Sequence, residues 1–338
     1  MRITALPLSV LLVATASAPD TVRIAPPYID APEMAVRRAT PHGTVHSFIM
    51  HSRDSRIFPG IRQLDNAVTQ RRDAYGNRIA APADEESEAA PYRREVLVYI
   101  PAGYRHGTEA PLLVVQDGRD YAVRVAAALD SLIAAHRVPP IVAVMIQSGG
   151  GDAQGSERGL EYDTVSGRYA EFVEREVLPQ VTALYAVRFT RNPSLRATMG
   201  GSSGASAAFA MAWFHPEWYG KVLSYSGTFV NQASPVDPST PRGAWDFHAR
   251  LIPDSPRKPI RMWMEVGSKD LHWQDPEPTY HNWPMANDRM AAALEAKGYD
   301  YRYVVAENAA HVDGNVIAQT LPGALEWLWR HDTTGSKR

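Results

Sequence analysis

Short, wholly apolar segments alternate along the chain with longer segments of helical pattern. Continuous apolar runs separated by helices are typical of parallel strands that are buried on both faces of a sheet. The pattern therefore predicts an α/β fold with a mostly parallel central sheet and helices on both of its faces. The predicted strands are 43–51, 95–100, 112–115, 141–146, 195–199, 222–225, 260–266 and 301–306, and the predicted helices are 121–135, 168–184, 205–212, 285–297 and 316–330.

Two local features modify this alternation. No helix separates the first two predicted strands, so we expect them to be antiparallel to each other. The last predicted helix contains Pro322-Gly323, which is expected to interrupt it because proline lacks the N–H that a helix needs. There is neither an internal repeat nor a strong linker. We therefore expect one α/β domain over residues 43–332, preceded by an extension, residues 17–42, that runs over the surface.

The N-terminal segment has the pattern of an export signal. Arg2 precedes an apolar run that ends near Ala14, and Ala14-Thr15-Ala16 fits a small-x-small cleavage site. A second site, Ala16-Ser17-Ala18, is less favourable because Pro19 would follow the cut. The run is too short to span a membrane and remain there. We therefore interpret residues 1–16 as a signal peptide and expect a periplasmic or secreted protein.

Composition narrows the possible partners. The chain has 338 residues, a formal net charge of −2 and 45% hydrophobic residues, so it can form a sizeable core. This charge favours neither nucleic acid nor an anionic membrane surface as a partner, and no stable membrane association is expected. The absence of cysteine excludes disulfides, a cysteine nucleophile and thiolate metal sites.

The most informative motif is Gly-x-Ser-x-Gly at residues 200–204. An apolar segment precedes it and a small-residue segment follows it, as a nucleophile elbow between a strand and a helix requires. Such a turn is too tight for side chains at the flanking positions, and it presents the serine hydroxyl at a helix N-terminus. Ser202 is therefore the candidate nucleophile. A flexible Gly-Ser turn is the alternative interpretation of the motif alone.

A serine nucleophile needs a base, and the base needs an orienting carboxylate. At elbows of this kind the chain order is Ser, then Asp or Glu, then His. Asp270 follows the end of a predicted strand and is the candidate acid, although it could instead cap a turn. Glu265, Asp275 and Glu277 remain alternatives. His311 is the candidate base, because it alone among the histidines lies between the last strand and the last helix.

The negative charge that develops during acyl transfer needs two backbone N–H donors. The first is expected at Ser203, directly after the nucleophile, and the second in the loop after the strand 112–115. Gly118 allows that loop to turn, and the Arg119 amide is the expected donor. The Arg119 side chain either contacts the substrate or faces solvent, and the sequence does not choose between these two roles.

A metal-dependent mechanism is a weaker interpretation. His42 and His46 have a spacing that chelates a metal ion only on a helix. Here the pair enters a predicted strand, in which four residues span about 13 Å, too far to share one ion. We therefore expect neither a metal nor another cofactor.

With these residues assigned, the chain resembles the putative-esterase group of α/β-hydrolases, which includes siderophore, feruloyl and acetyl-xylan esterases, formylglutathione hydrolases and mycolyltransferases. The resemblance covers roughly residues 43–332. The chain differs from the group at Ala205, where relatives often have glycine, and at Gln116, where many have leucine or histidine. Some siderophore esterases of the group work with a Ser–His pair and little help from an acid. The resemblance is carried by segments 98–104, 116–118, 176–179, 200–204, 267–270 and 310–311.

The resemblance implies an α/β-hydrolase fold and a serine carboxylesterase that acts on a siderophore-type, feruloyl or carbohydrate ester. An acyltransferase with the same catalytic residues, an amidase or peptidase, and a non-catalytic binding protein on this scaffold are the alternatives. The segment after Asp270 is rich in aromatic residues, which suit a catechol, a ferulate or a sugar face. Gln116, Trp273 and Trp283 are the candidate substrate contacts, although the two tryptophans could instead anchor the loop to the core.

Overall fold

A nine-stranded sheet forms the centre of the molecule in the computed structural model, which describes residues 21–35, 38–64, 71–79, 87–149, 157–233 and 236–330. The expected signal peptide, residues 1–16, lies outside the described residues. In chain order the strands are β1 (Thr21–Ile24), β2 (Thr44–His51), β3 (Arg93–Ile100), β4 (Leu112–Gln116), β5 (Val142–Ile146), β6 (Arg196–Gly201), β7 (Lys221–Tyr225), β8 (Arg261–Gly267) and β9 (Asp300–Ala306).

The spatial order of the strands is β1-β9-β8-β7-β6-β4-β5-β3-β2. The strands from β1 to β5 in this order are parallel to one another, and β3 is antiparallel to both β5 and β2. This confirms the mostly parallel sheet and the antiparallel pairing of the first two predicted strands. Strands β4 to β8 are buried along their whole length, as continuous apolar runs predict.

Helices cover both faces of the sheet. Helices α1 and α8 pack on one face, and the other helices with most of the aromatic residues pack on the opposite face. None of the helices in the described ranges is long and apolar enough to cross a membrane. The helices are α1 (Gly118–Ala134), α2 (Glu157–Tyr162), α3 (Arg168–Phe172), α4 (Leu178–Tyr185), α5 (Ser203–Phe214), α6 (Ile252–Asp254), α7 (Trp283–Ala296) and α8 (Gly314–Trp329), with a π-helical segment, Val173–Val177, that joins α3 to α4. This is the α/β-hydrolase architecture that the resemblance implied.

The N-terminal extension contributes to the sheet. Strand β1 pairs in parallel with β9 and forms one edge of the sheet, where Arg23 donates to Glu307 at 2.6 Å. The sequence predicts only a surface segment here. Val22 and Ile24 alternate with polar residues, but four residues with three exposed positions are too few for this pattern to predict a strand, so the pairing depends on the edge that β9 offers.

The predicted interruption of the last helix is wrong. Helix α8 continues through Pro322 to Trp329. Proline leaves the carbonyl four residues earlier, that of Ala318, without its helical donor. The Ala31 N–H of the extension donates to this carbonyl at 3.1 Å. A contact from a distant part of the chain therefore removes part of the cost of proline in the helix.

Helix α2 buries polar side chains rather than an apolar face. The Arg94 guanidinium pairs with the Glu161 carboxylate, and both side chains are almost completely enclosed. At the start of the helix, the buried Glu157 carboxylate accepts the Ile61 N–H at 2.9 Å. Burial raises the pKa of Glu157 to about 7, since the charged form loses its hydration.

This burial predicts a pH-dependent contribution to stability. A carboxyl whose pKa is higher in the folded than in the unfolded state stabilises the fold at low pH, and this contribution is lost as the pH rises through about 7. We expect the Glu157 contribution to the free energy of unfolding to fall by about 2 kcal/mol between pH 5.5 and pH 8. Glu157→Gln keeps the Ile61 contact but cannot ionise, so its stability should depend less steeply on pH. Urea unfolding of both proteins across this range measures the difference.

The matched control is Glu109→Gln, which removes the same charge from the surface. Its stability should follow the wild-type pH dependence. Parallel curves for wild type and Glu157→Gln would show that Glu157 ionises as freely in the folded protein as in the unfolded chain.

Candidate active site

Ser202 occupies a sharp turn between the end of β6 and the start of α5. Its backbone has φ of 56° and ψ of −130°, a conformation that L-residues rarely adopt. The chain segments around the turn are close. A Cβ on Gly200 would lie 2.3 Å from the carbonyl carbon of Gly204, and a Cβ on Gly204 would lie 3.0 Å from the Cβ of Gln116. Both flanking glycines of the motif are therefore required by packing.

The structure brings the predicted serine, histidine and carboxylate together. His311 Nε2 lies 2.9 Å from Ser202 Oγ, and His311 Nδ1 lies 2.5 Å from Asp270 Oδ1. A neutral imidazole that donates from Nδ1 to the carboxylate accepts the serine hydroxyl at Nε2. This arrangement can remove the proton from Ser202 as the hydroxyl oxygen attacks an electrophile.

Of the four candidate acids, only Asp270 contacts His311. Its side chain is fully buried, and Oδ1 also accepts the Leu271 N–H at 2.6 Å. Glu265 lies within β8, where burial and the nearby charge of Asp270 raise the pKa of its carboxyl well above its usual range. The other two carboxylates face the surface, where Asp275 contacts His272 and Glu277 contacts Arg289.

Backbone contacts hold the loop that carries Asp270 against the loop that carries His311. The Lys269 N–H donates to the Ala309 carbonyl at 3.0 Å, and a Cβ on Gly267 would lie 2.4 Å from the same carbonyl oxygen. On the other side of His311, the Val312 N–H donates to Ser226 Oγ at 2.9 Å. The imidazole thus lies between two fixed backbone segments.

The two expected oxyanion donors lie at helix N-termini. Ser203 is the first residue of α5 and Arg119 the second residue of α1, so neither N–H has a partner within its own helix. The Arg119 N–H lies 3.4 Å from Gln147 Oε1, a long contact. The Arg119 side chain is exposed and pairs with Glu95 at 2.7 Å, so its charge has a partner on the surface.

Gln116 does not have the position expected of a substrate contact. Its side chain is fully buried and donates to Met211 Sδ at 3.1 Å. We therefore do not retain the predicted substrate contact at Gln116. The sequence could not reveal this, because the last residue of a strand faces either the cleft or the helices behind it.

The two predicted aromatic contacts differ from each other. Trp273 is 46% exposed, whereas Trp283 is only 3% exposed. The Trp283 and His311 rings pack at nearly a right angle, with ring centroids 5.9 Å apart and planes at 85°. The His272 ring stacks on Trp283, with centroids 5.8 Å apart. Trp283 therefore packs against the imidazole from within the protein, and Trp273 is the tryptophan that a bound molecule can contact.

Asn282 connects these two tryptophans. Its side-chain oxygen caps α7 through the Met285 N–H, and its amide donates to the Trp273 carbonyl at 3.1 Å and the Asp275 carbonyl at 2.9 Å. One side chain thus fixes both the start of α7 and the loop before it. Asn before Trp-Pro is an N-cap signal that sequence analysis could have used to begin α7 at Trp283.

Sequence analysis also missed Thr228. Its N–H donates to the Ser202 carbonyl at 3.1 Å, and its hydroxyl lies 3.3 Å from Ser202 Oγ. Thr228 is buried and lies in the loop after β7. It follows the nucleophile by a long stretch of chain and belongs to no motif, so only the structure reveals the contact.

The two histidines considered for a metal site have other contacts. His42 Nδ1 lies 2.9 Å from Asp130, and the His46 ring stacks on Tyr185. Within the described part of the chain, no group of three or more histidine, aspartate or glutamate side chains is arranged to hold a metal ion.

Comparison with known proteins points to esterases. The chain is 29% identical over 170 residues to the iron(III) enterobactin esterase of Dickeya dadantii, an alignment that covers 50% of this chain and 37% of that protein. Its fold matches a crystal structure of the enterobactin esterase of Shigella flexneri with a TM-score of 0.54 and 21% identity, over 70% of this chain and 55% of that one. The matched regions thus span 37% and 55% of the length of these relatives.

A second group of similar structures matches along almost its whole length. The ferulic acid esterase of Anaeromyces mucronatus has a TM-score of 0.54 and 11% identity over 88% of this chain and 95% of that one. The putative esterase family model matches residues 87–327, which include Ser202, Asp270 and His311. The chain therefore belongs to the putative esterase family.

Proposed function

We propose that this protein is a serine carboxylic-ester hydrolase that acts through Ser202, His311 and Asp270. The observation that carries the proposal is the continuous set of contacts from Ser202 Oγ through the imidazole to the buried carboxylate. The strained backbone at Ser202 supports it, because such conformations are kept where surrounding structure and function require them.

In the acylation step, Ser202 Oγ attacks the ester carbonyl carbon while His311 Nε2 takes the hydroxyl proton. Asp270 accepts the hydrogen bond from the Nδ1–H and stabilises the imidazolium that forms, without taking the proton. The tetrahedral intermediate then collapses, the bond to the leaving oxygen breaks, and His311 gives the proton to the departing alcohol. Water attacks the acyl-enzyme by the same route and releases the acid and Ser202.

The carbonyl oxygen gains negative charge in this intermediate. The backbone N–H groups of Ser203 and Arg119 are the proposed donors to it. The long contact of Arg119 N with Gln147 is weaker than one to a charged oxygen, so the substrate replaces it.

The proposed substrates are siderophore-type, feruloyl or carbohydrate esters. The enterobactin and ferulic acid esterases among the similar proteins support esters with an aromatic part. The exposed Trp273 three residues after Asp270 supports the same class. Its ring offers a face on which a catechol, a ferulate or a sugar can stack.

A hydrolysis panel tests the function. It contains an enterobactin-type lactone, methyl ferulate, acetylated xylan and short p-nitrophenyl esters, each with a sugar or alcohol acceptor present or absent. We expect release of free acid in both conditions. Transfer of the acyl group to the acceptor in place of water would make the protein an acyltransferase, and a folded protein inactive on all of these esters would contradict the proposal.

Trp273 should determine affinity for aromatic esters. We expect Trp273→Ala to raise KM for methyl ferulate about tenfold, because the stacking surface is lost, and to leave KM for p-nitrophenyl acetate nearly unchanged. Steady-state kinetics with both esters provides the measurement. Trp283→Ala should instead lower kcat for both, since its ring packs against the imidazole.

Phe214→Ala is the matched control. This residue is a partly exposed aromatic at the opposite end of α5 from Ser202, and its removal should change neither KM. An equal rise of KM for both esters in Trp273→Ala would return this residue to a purely structural role.

A further inference from the structure

The turn at Asp117 precedes the proposed oxyanion donor Arg119 and is held by side chains of helix α2. Asp117 has a φ of 53°, an unfavourable conformation for a residue with a side chain. The Arg158 guanidinium grips its carboxylate, with Nη2 2.8 Å from Oδ2 and Nε 3.3 Å from Oδ1. The Asp117 N–H donates to the Tyr162 hydroxyl at 3.2 Å. The turn is thus fixed through both its side chain and its backbone.

The other proposed donor, Ser203, is connected to the end of the same helix. Asp163 directly follows α2 and is buried, with Gln232 Nε2 3.4 Å from its Oδ2. The same Gln232 nitrogen lies 3.3 Å from Ser203 Oγ. Burial raises the pKa of the Asp163 carboxyl to about 7, and the hydrogen bond from the Ser203 hydroxyl and the charge of Arg158 partly oppose this rise.

The two segments are also closely packed against each other. A Cβ added at Gly204 would lie 3.2 Å from Asp117 Oδ2. There is consequently little room for a side chain between the Asp117 turn and the start of α5, and a displacement of the turn would reach the elbow. The Arg158–Asp117 ion pair is largely enclosed, with side chains 18% and 11% exposed, so its geometry is well defined. A bidentate guanidinium fixes direction as well as distance.

From these contacts we infer that Arg158 is a positioning residue for the two oxyanion donors. Arg158 holds the Asp117 turn, and with it the Arg119 amide, at a fixed distance from the Ser203 amide. The Ser203 segment is itself held through Gln232 and Asp163. The inference rests on the proposed esterase function. Arg158 touches neither Ser202 nor His311 in the structure and acts only through Asp117 and α2. Oxyanion donors act only when they are correctly placed for the tetrahedral intermediate, so their displacement affects kcat rather than substrate binding.

The test compares Arg158→Met with Arg196→Met. Arg196 forms an enclosed ion pair with Glu174 at the start of β6, about 17 Å along the strand from the elbow. Both variants lose one buried ion pair, so both should have a lower melting temperature. Only Arg158→Met should lose activity, with kcat on a p-nitrophenyl ester about 10- to 100-fold lower and KM changed less than threefold.

Inhibition by a boronic acid tests the oxyanion position directly, because a merely structural role of Arg158 would leave its inhibition constant unchanged. The boronic acid forms a tetrahedral adduct with the serine, and one of its oxygens occupies the oxyanion position. Its inhibition constant should rise in Arg158→Met by about the factor by which kcat falls, whereas the constant of the planar product acid should hardly change. Arg158→Lys, which keeps the charge but not the bidentate contact, should be intermediate and serves if Arg158→Met does not fold.

Ser202→Ala, assayed with the same ester, distinguishes a failure of the positioning role of Arg158 from a failure of the proposed esterase function. If Ser202→Ala is inactive and both Arg158 variants retain the wild-type kcat and boronate affinity, the positioning role is wrong and the esterase proposal stands. Equal losses of kcat in Arg158→Met and Arg196→Met would also overturn the positioning role. If Ser202→Ala remains active, the proposed function is wrong and this inference falls with it.

Discussion

Replacement of Ser202 by alanine should lower kcat by about 10⁴-fold or more and leave the fold intact. The reason is that the Ser202 hydroxyl contacts the base His311 and forms the acyl-enzyme, and alanine offers no substitute. The smaller side chain fits the same space, so the melting temperature should remain close to that of the wild type. Initial rates on the best ester of the panel and thermal unfolding of the purified variant measure both quantities.

Ser206→Ala is the control for this substitution. It removes a buried hydroxyl from the same helix, one turn beyond the elbow, and should keep wild-type activity. More than a few per cent of wild-type activity in folded Ser202→Ala would mean that another residue is the nucleophile.

His311→Ala should cause a loss of similar size, since a serine without its base is a poor nucleophile. Residues that act as one unit do not contribute additively. The double variant Ser202→Ala/His311→Ala should therefore be no less active than the worse of the two single variants. Steady-state kinetics of the three variants on one ester, corrected for background hydrolysis, measures this non-additivity.

Glu265→Gln and Asp270→Asn together test which carboxylate orients His311. The Glu265 carboxyl lies in the strand that leads to Asp270 and contacts neither Ser202 nor His311, so its replacement should preserve most activity. Asp270→Asn should lower kcat, because asparagine does not stabilise the imidazolium. Loss of activity in Glu265→Gln with retention in Asp270→Asn would mean that Glu265, and not Asp270, is the acid.

For the double variant Ser202→Ala/His311→Ala, a loss equal to the product of the two single losses would mean that Ser202 and His311 act separately.

The central strands could be predicted because they are buried on both faces, which leaves a continuous apolar run in the sequence. Ser202 could be found because its turn requires glycines at fixed positions, and His311 because of its place after the last strand. Both are signals of local chain geometry, and the structure brings the two side chains to within 2.9 Å of each other.

What could not be predicted depends on contacts between distant parts of the chain. Helix α2 has no apolar periodicity, and the structure explains it through polar contacts with Asp117, Arg94 and Ile61. Gln116 and Trp283 are polar and aromatic residues beside the site, and such residues can face a cleft or the interior. The sequence contains no signal that separates the two, and the structure assigns both to the interior.

The edge strand β1 has a consequence for the behaviour of the protein in solution. An unpaired edge is a template on which another chain can add a strand and begin aggregation. Strand β9 is long and largely apolar, and without β1 its edge would be such a template. With β1 in place, Tyr303–Ala306 of β9 are covered, and the new edge strand is only four residues long and carries Arg23, paired with Glu307. Residues 21–24 therefore protect the molecule against intermolecular strand pairing, and removing them would favour self-association without altering any residue of the site.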